Sequence, residues 1–432
     1  MKKFLLMAWV MLIMSATVFA STVEIKGERA TPEYWLTADG DRVLLSASQI
    51  RTLNAQMHAK DFYSTDLAKF PTQLPASDIQ TMLDKSDREG GYSVTAPVEV
   101  QYAVTVRRAD MRLKPQPWNG DNYDDDQATA LDPAEPVAVF IPSRDDQYFF
   151  CRSRNYFGWL QRDDIAFTDR ETWLTYVEPN EFLVVIDNKK IVEVEDRSLP
   201  FQMGAVIPLF QTASNKTSSS QDAVKVSPRG IKFNIMIPAF PSIETNKAGS
   251  EWLARLPISI KGRLREVYVP IADDSSINKG WLPCTQNNMI RQAFKFLGDE
   301  YGWGGLNESV DCSAFVGDVY RSMGIELPRD TGNQESVMPI WAVFNDVSSY
   351  KRLDIVKRAP VGSLLFKRGH VMMKLGQDKN GTPLVIHAMS SYIANGEKIY
   401  IRKVLVSDLH YHGIAEVETI DQLSTIGAVA HE

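Results

Sequence analysis

The sequence predicts a multidomain chain: a small helical amino-terminal segment, two blocks of short strands suited to small β-barrels, and a carboxy-terminal α+β domain. Three observations lead there. Apolar residues recur at helical spacing up to Gly90-Gly91. Short alternating runs separated by Pro, Asn, Gly and Asp clusters then fill residues 98 to 284. After Thr285 a helical period returns, and the chain ends in strands.

In chain order, residues 1–20 read as a secretory signal peptide: Lys2 and Lys3, an apolar run from Phe4 to Met14, and the small-residue cleavage signal Val18-Phe19-Ala20. The run is too short to span a bilayer, so the expectation is an exported chain with no membrane span after cleavage, periplasmic or extracellular. Residues 21–95 form the helical segment. SASQIRTLNAQMHAKD offers Ser46 or Ser48 as a start signal with Ile50, Leu53 and Met57 on one face, and ASDIQTMLDKSD repeats the pattern. Residues 96–170 hold VEVQYAVTV, AVAVFI, QYFFCRS and GWLQ, the first predicted barrel. Residues 171–284 hold EFLVVID, KIVEVE, AVIPLF, IKFNIMIP, REVYVPI and GWLP, the second, interrupted by the polar loop QTASNKTSSSQD. Both blocks share a closing strand that begins Gly-Trp-Leu, at Gly158-Trp159-Leu160 and Gly280-Trp281-Leu282, a hint of a tandem repeat. Residues 285–432 form the last domain.

The net charge is −7 and basic residues are scattered, which leaves no electrostatic footprint for nucleic acid or an anionic membrane. Three cysteines in an exported chain leave at least one unpaired: Cys151 and Cys284 could pair, and Cys312 would stay free.

Cys312 stands in VDCSAFVGDVYRSMGIELPRDTGNQ. Asp311 can cap a helix there, with Val310 and Phe315 at staple positions and Phe315, Val316, Val319, Tyr320 and Met323 in one apolar stripe ended by Gly324. The thiol then occupies the first helical position, where free N–H groups and the helix dipole favour a thiolate. A small cysteine that merely packs under the helix fits the same spacing.

A nucleophile needs a base. In GSLLFKRGHVMMKLGQDKNGTPLVIHAMSS two apolar runs flank Asp378-Lys379-Asn380-Gly381, which predicts a hairpin with His370 at the start of one strand and His387 late in the next. Pairing brings both imidazoles to one end of the sheet, one to act as base and the other to orient it. Metal sites fit poorly. His410-Tyr411-His412 lacks a third ligand, the cysteines form no CxxC, and Asp124-Asp125-Asp126 has no calcium-loop spacing, so these read as surface loops. YGWGG at 301–305 reads as a backbone crossing with aromatic walls beside the cysteine.

Taken in order, YGWGG, DCSAF, LPRDTGNQ, GHVMM and VIHA resemble the NlpC-type cysteine peptidases of the bacterial cell wall, a papain-like family, over residues 285 to 420. Within it the chain resembles γ-D-glutamyl-L-diamino-acid endopeptidases with SH3-like domains: RADMRLKP and NYFGWL resemble their leading SH3 module, and TPEYWL with LSASQIRTLNAQM their helical segment. The resemblance implies two SH3-like barrels and an NlpC-type catalytic domain. It also implies Cys312 as nucleophile, His370 as general base, His387 as orienting residue, and Tyr301 at the oxyanion site. Trp303 would wall the groove, Asp330 and Ser313 would hold the free amine of an N-terminal L-Ala, and Tyr156 would cap that pocket. A carboxylate suits a site that chooses an amine over an acylated nitrogen. Asp330 could instead cap the following helix, and Tyr301 and Trp303 could be core aromatics.

The implied partners are peptidoglycan stem peptides, with no metal or organic cofactor. Three departures from the family pattern bear on groove shape: Ala314 for the usual Gly, Val361-Gly362-Ser363 for Pro-Gly-Asp, and Met372 after the His-Val pair. Two other readings remain: an amidase or acyltransferase with the same Cys-His pair, and an inactive wall-binding adaptor.

Overall fold

A computed structural model describes residues 23–87, 90–118, 120, 124–210, 251–413 and 417–430. The expected signal peptide, the polar loop at 211–222 and the IKFNIMIP run lie outside them. No helix among the described residues is long and apolar enough to cross a membrane.

The amino-terminal segment is helical where its caps predict. Ser46 accepts from the Gln49 backbone while the Gln49 side chain returns to Ser46, a closed capping box that starts the Ala47–His58 helix. A second helix spans Ala76–Ser86. The segment is not one body. Trp35, Leu53 and Met57 enter the carboxy-terminal core, whereas Leu67, Phe70, Ile79, Met82 and Leu83 pack with the first strand block. A strap before the first helix is tied to the last domain by Arg29 on Asp378 at 3.0 Å and by the Asn287 amide on the Thr37 carbonyl.

Among the described residues neither predicted barrel closes. Instead nine strands, counted among the described residues, form one sheet ordered Glu251–Ile260, Arg263–Ala272, Ile165–Thr168, Gln101–Thr105, Pro136–Pro142, Tyr148–Arg152, Phe157–Gln161, Ala109–Arg112, Gln127–Leu131. The first two belong to the second block, and they join through a parallel pairing of Arg263 with Phe167. The rest of that block makes a three-stranded sheet around Phe182–Val185 and a hairpin of Lys189–Val194 with Arg197–Gln202. The Gly-Trp-Leu echo does not mark equivalent strands. Trp159 is buried inside the Phe157–Gln161 strand, but Trp281 follows the Ile277–Lys279 strand, is 39% exposed and leans on Gly324.

Cys151 and Cys284 are not bridged. Each is a free, buried thiol in a different core cluster, so the pairing that the sequence left open does not form. Asp124 is no surface loop residue either: it is 5% exposed and grips Arg112 with both carboxylate oxygens at 2.7 and 3.1 Å.

The carboxy-terminal domain is an antiparallel six-stranded sheet ordered Ile340–Val343, Leu423–Gly427, Leu364–Lys367, His370–Gln377, Pro383–Ala394, Glu397–Ser407. Period-2 alternation sends Leu364, Phe366, Val371, Met373, Leu384, Ile386, Val404 and Val406 to the face that packs on the Gln286–Lys295 and Cys312–Arg321 helices. Leu365, Met372 and Val385 face the other way, into a second cluster with Val356 and Ile420.

Candidate active site

Cys312 begins the Cys312–Arg321 helix. Asp311 is its N-cap and accepts from the Ala314 backbone at 2.9 Å. The cap carboxylate does more than the sequence predicts. Arg329 grips both its oxygens at 3.1 and 2.5 Å, and the Gly304 backbone N–H reaches it at 3.0 Å. Both side chains are under 9% exposed, so this is a dry bidentate pair. Burial pushes the Asp311 carboxyl up, but Arg329 and the backbone donors outweigh it and hold it below the ordinary value.

The YGWGG turn is the expected backbone crossing. Gly304 and Gly305 have φ of 63° and 83°, in the left-handed region. A Cβ on Gly304 would stand 2.5 Å from the Gln127 carbonyl, so the turn passes against the Gln127–Leu131 strand where only glycine fits. The first strand block is further fixed to the cysteine helix by Arg321 on Asp132 at 2.8 Å and Glu135 at 3.2 Å, and by Arg329 on the Thr129 hydroxyl at 2.9 Å. A cavity of ≈ 700 Å³ lies between this block, the Ala47–His58 helix and the back of the cysteine helix, but neither Cys312 nor His370 lines it.

The thiol itself is 7% exposed, not surface-facing. Its sulfur lies 3.6 Å from the Thr331 hydroxyl and receives the Val371 backbone N–H. Burial, and then the Asp311 carboxylate, push it up to about 11, opposite to the direction expected from helix position alone. Desolvation is the largest cause. A thiol this weak is about 10⁻⁴ ionised at pH 7. Alkylation of Cys312 by iodoacetamide without substrate should thus rise about tenfold per pH unit from pH 7 to 10. A plateau near neutrality would instead reveal a preformed thiolate–imidazolium pair.

Val371 follows His370, so the strand that touches the sulfur also carries the first histidine. His370 Nε2 and His387 Nδ1 are 2.7 Å apart, with ring centroids at 4.9 Å. The predicted hairpin is present, His370–Gln377 against Pro383–Ala394, although the second strand continues well past His387. Burial, then His387 and the Lys367 ammonium, hold His370 well below the usual imidazole range, and burial with Lys367 lowers His387 to about 3. Both rings are neutral at pH 7. Nε2 of His370 is engaged with His387, so the tautomer of the pair decides whether Nδ1 can take a proton.

Asp330 starts the Thr331–Val337 helix but makes no side-chain cap. Its carboxylate accepts instead from the Tyr156 hydroxyl. Burial raises Asp330, and Arg329 opposes that rise. Tyr156 is 8% exposed and its ring stacks on Tyr63 at 4.9 Å, while Asp61 beside it accepts from Asn333 at 2.6 Å. The Ser313 hydroxyl donates to Asp311 at 3.1 Å and accepts from Arg329 at 3.0 Å. The Tyr301 backbone N–H donates to the Arg402 carbonyl at 3.0 Å, and Tyr301 bridges Val310, two residues before Cys312. Trp303 is 41% exposed, not a core aromatic.

Several neighbours escaped the sequence reading: Arg329, Thr331, Tyr63, Ser407, and Tyr411, whose ring stacks on His387 at 5.8 Å. Tyr411 lies in the His-Tyr-His run assigned to a surface loop, yet it is 9% exposed. No group of three or more metal-ligating side chains occurs among the described residues.

Two family models match. Residues 298–405 match the NlpC/P60 family and residues 113–161 the SH3 domain of SH3b1 type. Among solved structures, an NlpC/P60 endopeptidase from Photobacterium damselae subsp. piscicida is similar over 94% of this chain and 98% of its own, at TM-score 0.68 and 15% identity. An NlpC/P60 family protein from Bacillus cereus ATCC 10987 is similar over 76% and 100%, at TM-score 0.46 and 15% identity. NlpC2 from Trichomonas vaginalis gives 77% and 98%, at TM-score 0.28 and 11% identity. The first of these establishes a shared fold. No curated protein matches the chain.

Proposed function

For a chain that carries an NlpC/P60 domain behind an SH3 domain of SH3b1 type, we propose an exported cysteine endopeptidase of peptidoglycan stem peptides. It hydrolyses the amide between γ-D-Glu and the following L-diamino acid and prefers a free N-terminal L-Ala. One observation carries the reading: a thiol at a helix start receives the N–H of Val371, the residue that follows a neutral His370 whose Nε2 is held by His387.

In this mechanism Cys312 attacks the scissile carbonyl as its proton passes to His370 Nδ1. The S–C bond forms and the carbonyl π pair moves to oxygen, which Tyr301 and the Cys312 backbone N–H stabilise. Collapse expels the diamino-acid amine, protonated by His370. Water, activated by the same ring, then releases the dipeptide and restores the thiol. His387 keeps His370 aligned throughout. Trp303 walls the groove. Asp330, with Tyr156 above and Ser313 below, receives the ammonium of L-Ala, a charge-assisted contact that an acylated nitrogen cannot make.

Mass spectrometry of the mature protein with L-Ala-γ-D-Glu-L-Lys and L-Ala-γ-D-Glu-meso-diaminopimelate, each beside its N-acetylated form, tests this. Release of L-Ala-D-Glu from the free-amine peptides alone is expected. No cleavage of any peptide by protein with reduced Cys312 would overturn the proposal in favour of the adaptor reading. Asp330→Asn should slow cleavage of free-amine peptides roughly 10–100-fold while Cys312 alkylation stays at the wild-type rate. Equal loss in both measurements would make Asp330 structural.

A further inference from the structure

Ser407 ends the Glu397–Ser407 strand and is fully buried. It pairs with Val385, and Leu405 pairs with His387, so Ser407 is the diagonal neighbour of His387 on one face of the sheet. Its hydroxyl lies 3.0 Å from His387 Nε2 and 2.9 Å from the Asp408 carbonyl.

Proton counting fixes what these contacts are. The Asp408 carbonyl can only accept, so the single Ser407 proton goes there. Ser407 must then accept from His387, which places an N–H on His387 Nε2. His387 is neutral, so its Nδ1 carries a lone pair, and the 2.7 Å contact requires His370 to donate from Nε2. His370 is also neutral, and its Nδ1 is left bare. That bare nitrogen is what a base for the Cys312 thiol must present.

We propose that Ser407 is a positioning residue: by accepting the His387 Nε2–H it sets the tautomer of both histidines, and so makes His370 a base toward Cys312. The assignment rests on Cys312 and His370 acting as nucleophile and base. When the S–H bond breaks, its proton forms the Nδ1–H bond of His370, and the Nε2–H of His370 stays donated to His387. No proton need travel beyond the first ring. Without an acceptor at 407, a buried N–H on His387 Nε2 would be unsatisfied. The pair then reverses. His387 donates from Nδ1 to His370 Nε2, and His370 presents an N–H to the thiol, with nothing to take its proton.

The test is long-range ¹H–¹⁵N imidazole spectroscopy on the full chain labelled with ¹⁵N-histidine, as wild type, Ser407→Thr and Ser407→Val, beside peptide turnover. Thr keeps the hydroxyl and Val has its shape without it. Wild type and Ser407→Thr should show both histidines protonated at Nε2. Ser407→Val should shift them to Nδ1 and lower kcat roughly 10–100-fold, with KM and thermal midpoint nearly unchanged. Nδ1 protonation in wild type, or an Ser407→Val protein that keeps the wild-type tautomer, would overturn the proposal. If Ser407→Val does not fold, the wild-type spectrum and Ser407→Ala decide by the same criterion. Nε2 protonation with no peptide cleaved by the wild type would leave the tautomer assignment standing and refute the peptidase reading instead.

Discussion

Cys312→Ala is expected to turn over no peptide, a loss of at least roughly 10⁴-fold, while the protein keeps its fold. Every other group around the reacting carbonyl remains in that variant, but none can form the acyl bond. The stability cost should be small, about 1 kcal/mol or less, because only one sulfur leaves a site that is already tightly walled. Its contacts are weak: a Thr331 hydroxyl at 3.6 Å and the Val371 N–H. Steady-state turnover and a denaturant titration measured on the same preparation settle the matter. Retained cleavage would end the assignment of Cys312 as nucleophile. A collapse in stability would mean that the thiol is a packing residue.

Arg329→Met should be among the most destabilising single changes in the carboxy-terminal domain, costing about 3–5 kcal/mol. The guanidinium neutralises Asp311, meets Thr129 across to the strand block and accepts no substitute, since Met fills the volume but carries no charge. What remains is a carboxylate that is 5% exposed and served only by the Ala314, Gly304 and Ser313 donors. Asp311 is held below its ordinary value in the fold, so the pair's contribution is present above the unfolded carboxyl pKa and is lost as pH falls through the lower folded value. The gap between wild type and variant should therefore narrow as pH falls toward about 4 and below, first as the unpaired carboxylate of the variant protonates in the fold and then as the wild-type pair is lost. Adding Asp311→Asn to Arg329→Met should recover most of the loss, because Asn can still cap the helix. Chemical denaturation of the four proteins of this cycle gives the coupling directly. Additive losses would show that the two side chains do not act as a pair.

Much of the site was legible because its logic is local. An acidic cap followed by an apolar stripe sets the start of the Cys312–Arg321 helix, and the turn residues Asp378 to Gly381 between alternating runs set a hairpin that presents His370 and His387 together. Gly304 and Gly305 announced a close backbone approach before its partner strand was known. Less legible was anything that depends on which segments meet. Ser407 reads as the polar end of an apolar strand, and its relation to His387 comes only from sheet register. Tyr63 gave no signal, because its ring meets Tyr156 across the chain, between the helical segment and the first strand block.

The sequence by itself determined the helix that begins at Cys312, the paired histidines and the order of helical, strand and mixed regions. Caps, turn residues and periodicity act within a segment and need no partner. The tertiary structure alone decided that one hairpin of the second strand block extends the sheet of the first, that Cys151 and Cys284 stay apart, and that Arg329 holds the Asp311 carboxylate beside Cys312. It also decided the acidity of the thiol. Desolvation depends on everything packed around a group, and here it is the largest influence on the thiol.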